Sequence, residues 1–219
     1  MDASASPLLA YILCGGQGTR LRSVIGETQK TVAEIHGEPF LALLLRELKK
    51  AGAGEAVLCA GYRADQLLAM RHELAAQTGV ALEIVVETEP LGTGGALLNG
   101  LDRHAPPSRY LVLNADTFLE ASAYRQLWQS VHPAVMLAAR VDDRARFGGI
   151  ECDEEGRVLR LMEKGLAGPG LINGGAYLFS ADSLAGWPLR PSSLERDILP
   201  ALIERQAIWT VAYSGNFID

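Results

Sequence analysis

Backbone freedom and positive charge meet early in this chain. Leu13-Cys14-Gly15-Gly16-Gln17-Gly18-Thr19-Arg20-Leu21 places three glycines within four residues, and Lys30 follows a short way downstream. Glycine allows φ > 0 and lets a backbone approach a ligand closely. At a strand end such a loop aims several N–H groups at one point, which suits phosphate oxygens. Arg20 and Lys30 bring two cations to the same place, so the stretch reads as a nucleoside triphosphate site. A dinucleotide fingerprint would need a third glycine where Leu21 stands. A Walker A loop would need Gly-Lys-Ser/Thr, which occurs nowhere in the chain. For a bare glycine loop, an ordinary strand-to-helix turn is the plain alternative.

A carboxylate completes the set. Asp116 follows the apolar run Tyr110 to Leu113, and an aspartate at a strand end suits Mg²⁺, which takes hard oxygen donors together with substrate phosphates. The competing reading is a turn aspartate that caps the next helix. The three cysteines, Cys14, Cys59 and Cys152, are odd in number and scattered. They suggest neither a disulfide framework nor a metal site, and reduced thiols in a cytoplasmic protein are the simpler account.

The elements that must position these groups alternate. Leu8 to Leu13 reads as a buried strand. Pro39 opens a helix whose stripe is Phe40, Leu41, Leu44, Leu45 and Leu48, ending at Gly52 or Gly54. Ala56 to Ala60 is a strand, and Ala64 to Gln77 a helix with Leu67, Leu68, Met70 and Leu74 inward. Leu82 to Val86 is a strand before Pro90 to Leu97, a second glycine-rich turn into a helix, and Tyr110 to Leu113 is a further strand. This β-α-β-α-β-α-β series implies a parallel sheet covered on both faces. Val135 to Val141, Gly149 to Cys152, Val158 to Met162 and Ala176 to Ser180 are then strands with short links, Asp153 to Gly156 forming a hairpin turn. Ser192 and Glu195 are spaced as a capping box for a helix through Ile203, and Ile208 to Tyr213 is the last strand. In open parallel sheets ligands bind beyond the carboxyl ends of the strands, so the first loop, the Gly92 turn and Asp116 should converge.

The full string Gly-Gly-x-Gly-Thr-Arg-Leu resembles the signature of the sugar-1-phosphate nucleotidyltransferases. Glu87-Thr88-Glu89-Pro90-Leu91-Gly92-Thr93-Gly94-Gly95 is similar to that family's base-recognition segment. Phe147 to Ile150, Gly168 to Gly175 and Ser193 to Asp197 resemble its heptose 1-phosphate guanylyltransferase branch. The resemblance implies an α/β, Rossmann-like mixed and mainly parallel sheet with helices on both faces (a GT-A-like fold). It implies one domain over 1–219, a nucleotide-binding half at 1–116 and a sugar-phosphate half at 117–219. GTP and a sugar 1-phosphate are the implied substrates and Mg²⁺ the implied cofactor, with mannose 1-phosphate as the rival acceptor. A catalytically silent nucleotide-sugar sensor on the same fold is the rival of another class.

Residue by residue, the resemblance implies that Cys14, Gly15, Gly16, Gly18, Thr19, Glu87, Pro90, Gly92, Thr93 and Gly94 hold the nucleotide. A glutamate at 87 favours guanine, because an ionised carboxylate offers two acceptors to that base's two adjacent donors. Arg20 would hold the departing phosphates and Lys30 would bridge the attacking and transferred ones. Asn114, Gly149, Glu163, Lys164, Asn173 and Gly174 fall where the family contacts the sugar phosphate, and Asp116 and Asp219 where it holds the metal. The family continues past Asp219, which suggests a trimmed C-terminus. Three departures stand out: the family's Pro-Lys-Pro is Gln29-Lys30-Thr31 here, Cys14 replaces an alanine and Ala115 a glycine.

Bulk properties agree. A chain of 219 residues, 48% hydrophobic and 21% charged, is that of a globular protein with a well-filled core. A net charge of −6 argues against a general nucleic-acid or anionic-membrane binder. Met1 to Pro7 lacks the features of a signal peptide, and no run is long enough to span a bilayer. Nothing decides whether the chain forms a homo-oligomer.

Overall fold

The computed structural model describes residues 8–16, 26 and 28–218. Seven strands form its central sheet: β1 (Leu8–Leu13), β2 (Ala53–Ala60), β3 (Ala81–Val86), β4 (Arg109–Asn114), β5 (Ala134–Val141), β6 (Gly170–Ser180) and β7 (Trp209–Tyr213). Their spatial order is β7-β5-β6-β4-β1-β2-β3. β1 pairs in parallel with β2 and β4, β2 with β3, and β5 with β7. Only β6 runs against its neighbours. The sheet is therefore mixed and mainly parallel, as expected.

Helices α1 (Phe40–Ala51), α2 (Ala64–Thr78), α3 (Gly92–Arg103), α4 (Ala121–Gln129) and α5 (Leu199–Glu204) cover both faces. The period of two along β1 divides its side chains. Leu8, Ala10 and Ile12 join the core beneath α1, α2 and α4, while Leu9, Tyr11 and Leu13 join the core beneath α3 and α5. Strands buried on both sides have no reason to alternate in polarity, so they read as continuous apolar runs. On α1, Leu41, Leu44, Leu45 and Leu48 are buried, and Gly52 at φ 108° ends the helix in a left-handed cap.

Several expectations need correction. Leu68 is 48% exposed and faces solvent, because α2 buries Leu67 and Leu74 on its narrow inner stripe. The strand expected from Ala176 begins at Gly170, and its register shifts between Asn173 and Tyr177. Gly175, at φ 66°, supplies the bulge there, and poor strand-formers hid the first half of the element. The glycine-rich turn after Pro90 is already helical from Gly92. Helix α4 was not anticipated. The cap near residue 192 belongs to Ser193, whose side chain accepts from Arg196 N, and the following turn over Leu194–Ile198 is a π-helix. That wider turn places the reciprocal carboxylate four residues on, at Asp197, which accepts from Ser193 N at 2.6 Å. Finally, β7 is not the last strand: Phe217–Ile218 pairs antiparallel with Phe118–Leu119. No described helix is long and apolar enough to cross a membrane.

Candidate active site

Three strands of the sheet end at one crevice. β1 ends in Cys14, Gly15 and Gly16; β4 ends in Asn114, Ala115 and Asp116; β3 ends at Glu87. Together with the 29–31 turn and the start of α3 they enclose a cavity of about 560 Å³. Inside it the Lys30 ammonium donates to Asp116 Oδ2. Each side chain of this pair is about one-third exposed, so each stays open to a ligand. A lysine whose turn is tied to the end of β1 through Gln29 Nε2 and Cys14 O thus reaches the end of β4, the strand paired with β1 at Leu13 and Asn114.

Glu87 stands on another wall. Its backbone N–H donates to Ala60 O at 2.9 Å, which continues the β2–β3 ladder, and its carboxylate accepts from Leu91 N at 3.0 Å. The carboxylate lies against the backbone of Gly15 and Gly61: a Cβ at Gly61 would sit 2.1 Å from Oε1. Burial raises the carboxyl pKa, and the Leu91 N–H offsets part of that rise. Gly92, at φ 70°, opens α3 beside Pro90 and Thr93.

Comparison with known proteins decides the lineage. The Nucleotidyl transferase family model matches residues 9–208. The chain belongs to this family. It is 32% identical over 211 residues to the D-glycero-alpha-D-manno-heptose 1-phosphate guanylyltransferase of Campylobacter jejuni, covering 96% of this chain and 93% of that protein. It is also 32% identical over 216 residues to the mannose-1-phosphate guanylyltransferase catalytic subunit beta of Drosophila pseudoobscura pseudoobscura. That match covers 96% of this chain and 58% of the fly protein, so the chain spans little more than half of that relative's length. Crystal structures of HddC from Yersinia pseudotuberculosis superpose with a TM-score of 0.85 at 31% identity and, for the complex with GMP-PN, 0.83 at 30%. Both matches cover 97% of this chain and 93% of the other.

The cavity gathers Cys14, Gly15, Gly16, Lys30, Glu87, Pro90, Gly92, Thr93, Asn114 and Asp116. Gly94 is not in its lining. Gly94 N and Gly95 N both donate to Ser192 O, and a Cβ at Gly95 would lie 2.6 Å from Arg190 O. These glycines let residues 190–193 close against α3. Gly149, Glu163, Lys164, Asn173 and Gly174 also lie outside the lining. Glu163 and Lys164 are exposed, whereas the Asn173 side chain is engaged with Tyr177 OH and Gly175 N. Asn114 differs: it lines the cavity, and its buried Oδ1 has no hydrogen-bond donor among the described residues. Gly18, Thr19, Arg20 and Asp219 lie outside the described residues.

Residues that the sequence reading passed over also line the cavity, among them Gln29, Thr31 and Glu195. Glu195 Oε2 accepts from Thr93 Oγ1 at 2.8 Å and Ser193 Oγ at 3.1 Å, which joins the 193–197 turn to α3. Its spacing from Ser192 drew a reading as half of a capping box and hid it. Cys14 and Cys59 are buried thiols and not activated ones. Burial pushes the Cys14 pKa up, with the neighbouring Cys59 adding to the effect, and burial pushes Cys59 up to about 12. For a metal, Asp116 fits: one partly exposed carboxylate in a cavity open to phosphates is the donor set of an ion that leans on its substrate. Among the described residues no cluster of three metal-ligating side chains occurs.

Proposed function

We propose that this chain is a sugar-1-phosphate guanylyltransferase, a single domain whose 1–116 half takes GTP and whose 117–219 half takes the sugar phosphate. A phosphate oxygen of the sugar 1-phosphate attacks the α-phosphorus of GTP. The bond to the β-phosphate oxygen breaks, pyrophosphate leaves, and the GDP-sugar forms. No general base is needed, because a phosphate monoester with a second pKa near 6 is already mostly dianionic at neutral pH. The two substrates bring roughly −6 together, so the protein's task is positioning and charge neutralisation.

The observation that supports this best is the Lys30 ammonium against Asp116 in a cavity that also holds Glu87. Lys30 binds the attacking and transferred phosphates, and Glu87 pairs with the base edge of guanine. Asn114 accepts from a sugar hydroxyl, and Lys164 neutralises the sugar's phosphate. Mg²⁺ held by Asp116 and Asp219 would supply positive charge to the phosphates. Arg20 is assigned to the departing phosphates by the family resemblance alone. Heptose 1-phosphate is the favoured acceptor, on the full-length match to the Campylobacter enzyme. Mannose 1-phosphate is the second reading, on an equal identity to the insect protein. A panel of sugar 1-phosphates against GTP, ATP, CTP and UTP, scored by pyrophosphate release, tests both. Tight GTP binding without magnesium-dependent release on any sugar would sink the enzymatic reading.

A further inference from the structure

Lys30 must be held in place by something other than its own long side chain, and the two residues beside it are polar yet almost wholly buried. Gln29 is 1% exposed and Thr31 is 3% exposed. The Gln29 side chain spends its hydrogen bonds on both sides of the lysine. Nε2 donates to Cys14 O at 2.7 Å, at the end of β1. Oε1 accepts from Thr31 N at 2.7 Å and from the Thr31 hydroxyl as well, filling both lone pairs. The Gln29 backbone N–H donates to Gln66 Oε1 at 2.7 Å, which ties the turn to α2. The Cys14 carbonyl and the side chains of Gln29 and Thr31, the two positions where the family carries proline, therefore form one buried, hydrogen-bonded unit.

We propose that Gln29 is the positioning residue of the active site: its amide, with Thr31 and the Cys14 carbonyl, locks the turn that carries Lys30. The prolines that stiffen this turn in the wider family act through a fixed φ. Here the same turn is held by a satisfied polar network, which is rigid because every alternative leaves a buried group unpaired. Gln29 does not touch substrate in this scheme; it acts through Lys30, whose ammonium spans from the end of β1 to Asp116 at the end of β4. The role presupposes the nucleotidyl-transfer reading of Lys30.

The test uses the full chain and kinetics of pyrophosphate release with GTP and the best sugar 1-phosphate. Gln29→Ala lowers kcat by about 100-fold, the cost of misplacing a reacting group by about 1 Å, and leaves both KM values within about threefold. In a Lys30→Ala background the same change costs less than about twofold, because the residue it acts through is gone. Equal losses in the two backgrounds, or a folded Gln29→Ala enzyme with wild-type kcat, would overturn the proposal. Gln29→Met keeps the volume without the hydrogen bonds and replaces the alanine if that variant does not fold. A second readout is independent of turnover. The chain has four lysines, Lys30, Lys49, Lys50 and Lys164. After reductive ¹³C-methylation, the Lys30 resonance, assigned by its loss in Lys30→Ala, is shifted and broadened relative to Lys49 and Lys50. In Gln29→Ala it moves to join them. A Lys30 resonance unchanged by Gln29→Ala refutes the brace. Lack of turnover in the wild type refutes the enzymatic reading alone, with the resonance still deciding the brace.

Discussion

Gly61→Ala tests the base-reading role of Glu87 without touching the carboxylate. Gly61 follows β2 and does not occupy the left-handed region, so its backbone accepts alanine. The new Cβ would lie 2.1 Å from Glu87 Oε1, 2.9 Å from Cδ and 3.2 Å from Cγ. The carboxylate must retreat by about 1 Å or more to reach a tolerable separation, and it must turn to do so. A hydrogen bond to a charged acceptor contributes about 1.5–3 kcal/mol, so losing one raises KM for GTP by about 10- to 100-fold. The fold should not suffer. A Gly→Ala change at a compatible position adds about 0.4–1 kcal/mol through the unfolded chain, and a desolvated carboxylate is released toward water. The assay is pyrophosphate release at varied GTP and UTP, with thermal melts alongside. Discrimination between the two bases narrows while the melting temperature holds or rises. A folded Gly61→Ala enzyme with wild-type KM for GTP and an unchanged GTP/UTP ratio would refute the assignment of Glu87.

Lys30→Ala should lower kcat by about 10²- to 10³-fold, in line with the loss of one preorganised electrostatic group, while circular dichroism and melting stay close to wild type. Asp116→Asn should shift the Mg²⁺ dependence of turnover to higher concentration, and a chelator should abolish turnover in the wild type until Mg²⁺ is returned; activity that survives chelation would rule the metal out. Glu87 supplies a pH test. Its folded pKa is raised above the ordinary 4.5 by burial, so its contribution favours folding below that value and is lost as pH rises through the folded pKa. Glu87→Gln should therefore be more stable than wild type to urea at pH 7, with the difference shrinking toward pH 4.5.

The sheet was readable because its physics is local. β1 and the centre of β4 are buried on both faces and carry unbroken apolar runs, and the caps at Gly52 and Gly79 mark where helices α1 and α2 stop. What escaped was set by tertiary contact. Residues 170–175 pair with β5 although glycine and asparagine carry little strand preference, since the backbone bonds of β5 require a partner there. The capping position near residue 193 slid by one because a π turn carries five residues where an α turn carries four, and nothing in Ser192-Ser193-Leu194-Glu195 announces that.

The site was legible in the same uneven way. Glu87 and Asp116 are charged residues placed after apolar runs, and Lys30 is a cation a short way past a glycine-rich loop, so charge at these positions advertises itself. Gln29, Thr31 and Gly61 carry no charge, and their meaning lies in what they touch: a carbonyl 15 residues back, a neighbour's hydroxyl, a carboxylate across the cavity. Along the chain alone, the absence of the two prolines around Lys30 removes a constraint on φ at both positions. Folded, the same two positions hold buried groups that satisfy one another and the end of β1, and a turn held that way is no freer than one held by rings. The sequence pattern registers a missing constraint at once, while the constraint that replaces it becomes visible only when residues distant in the chain are brought within hydrogen-bonding distance.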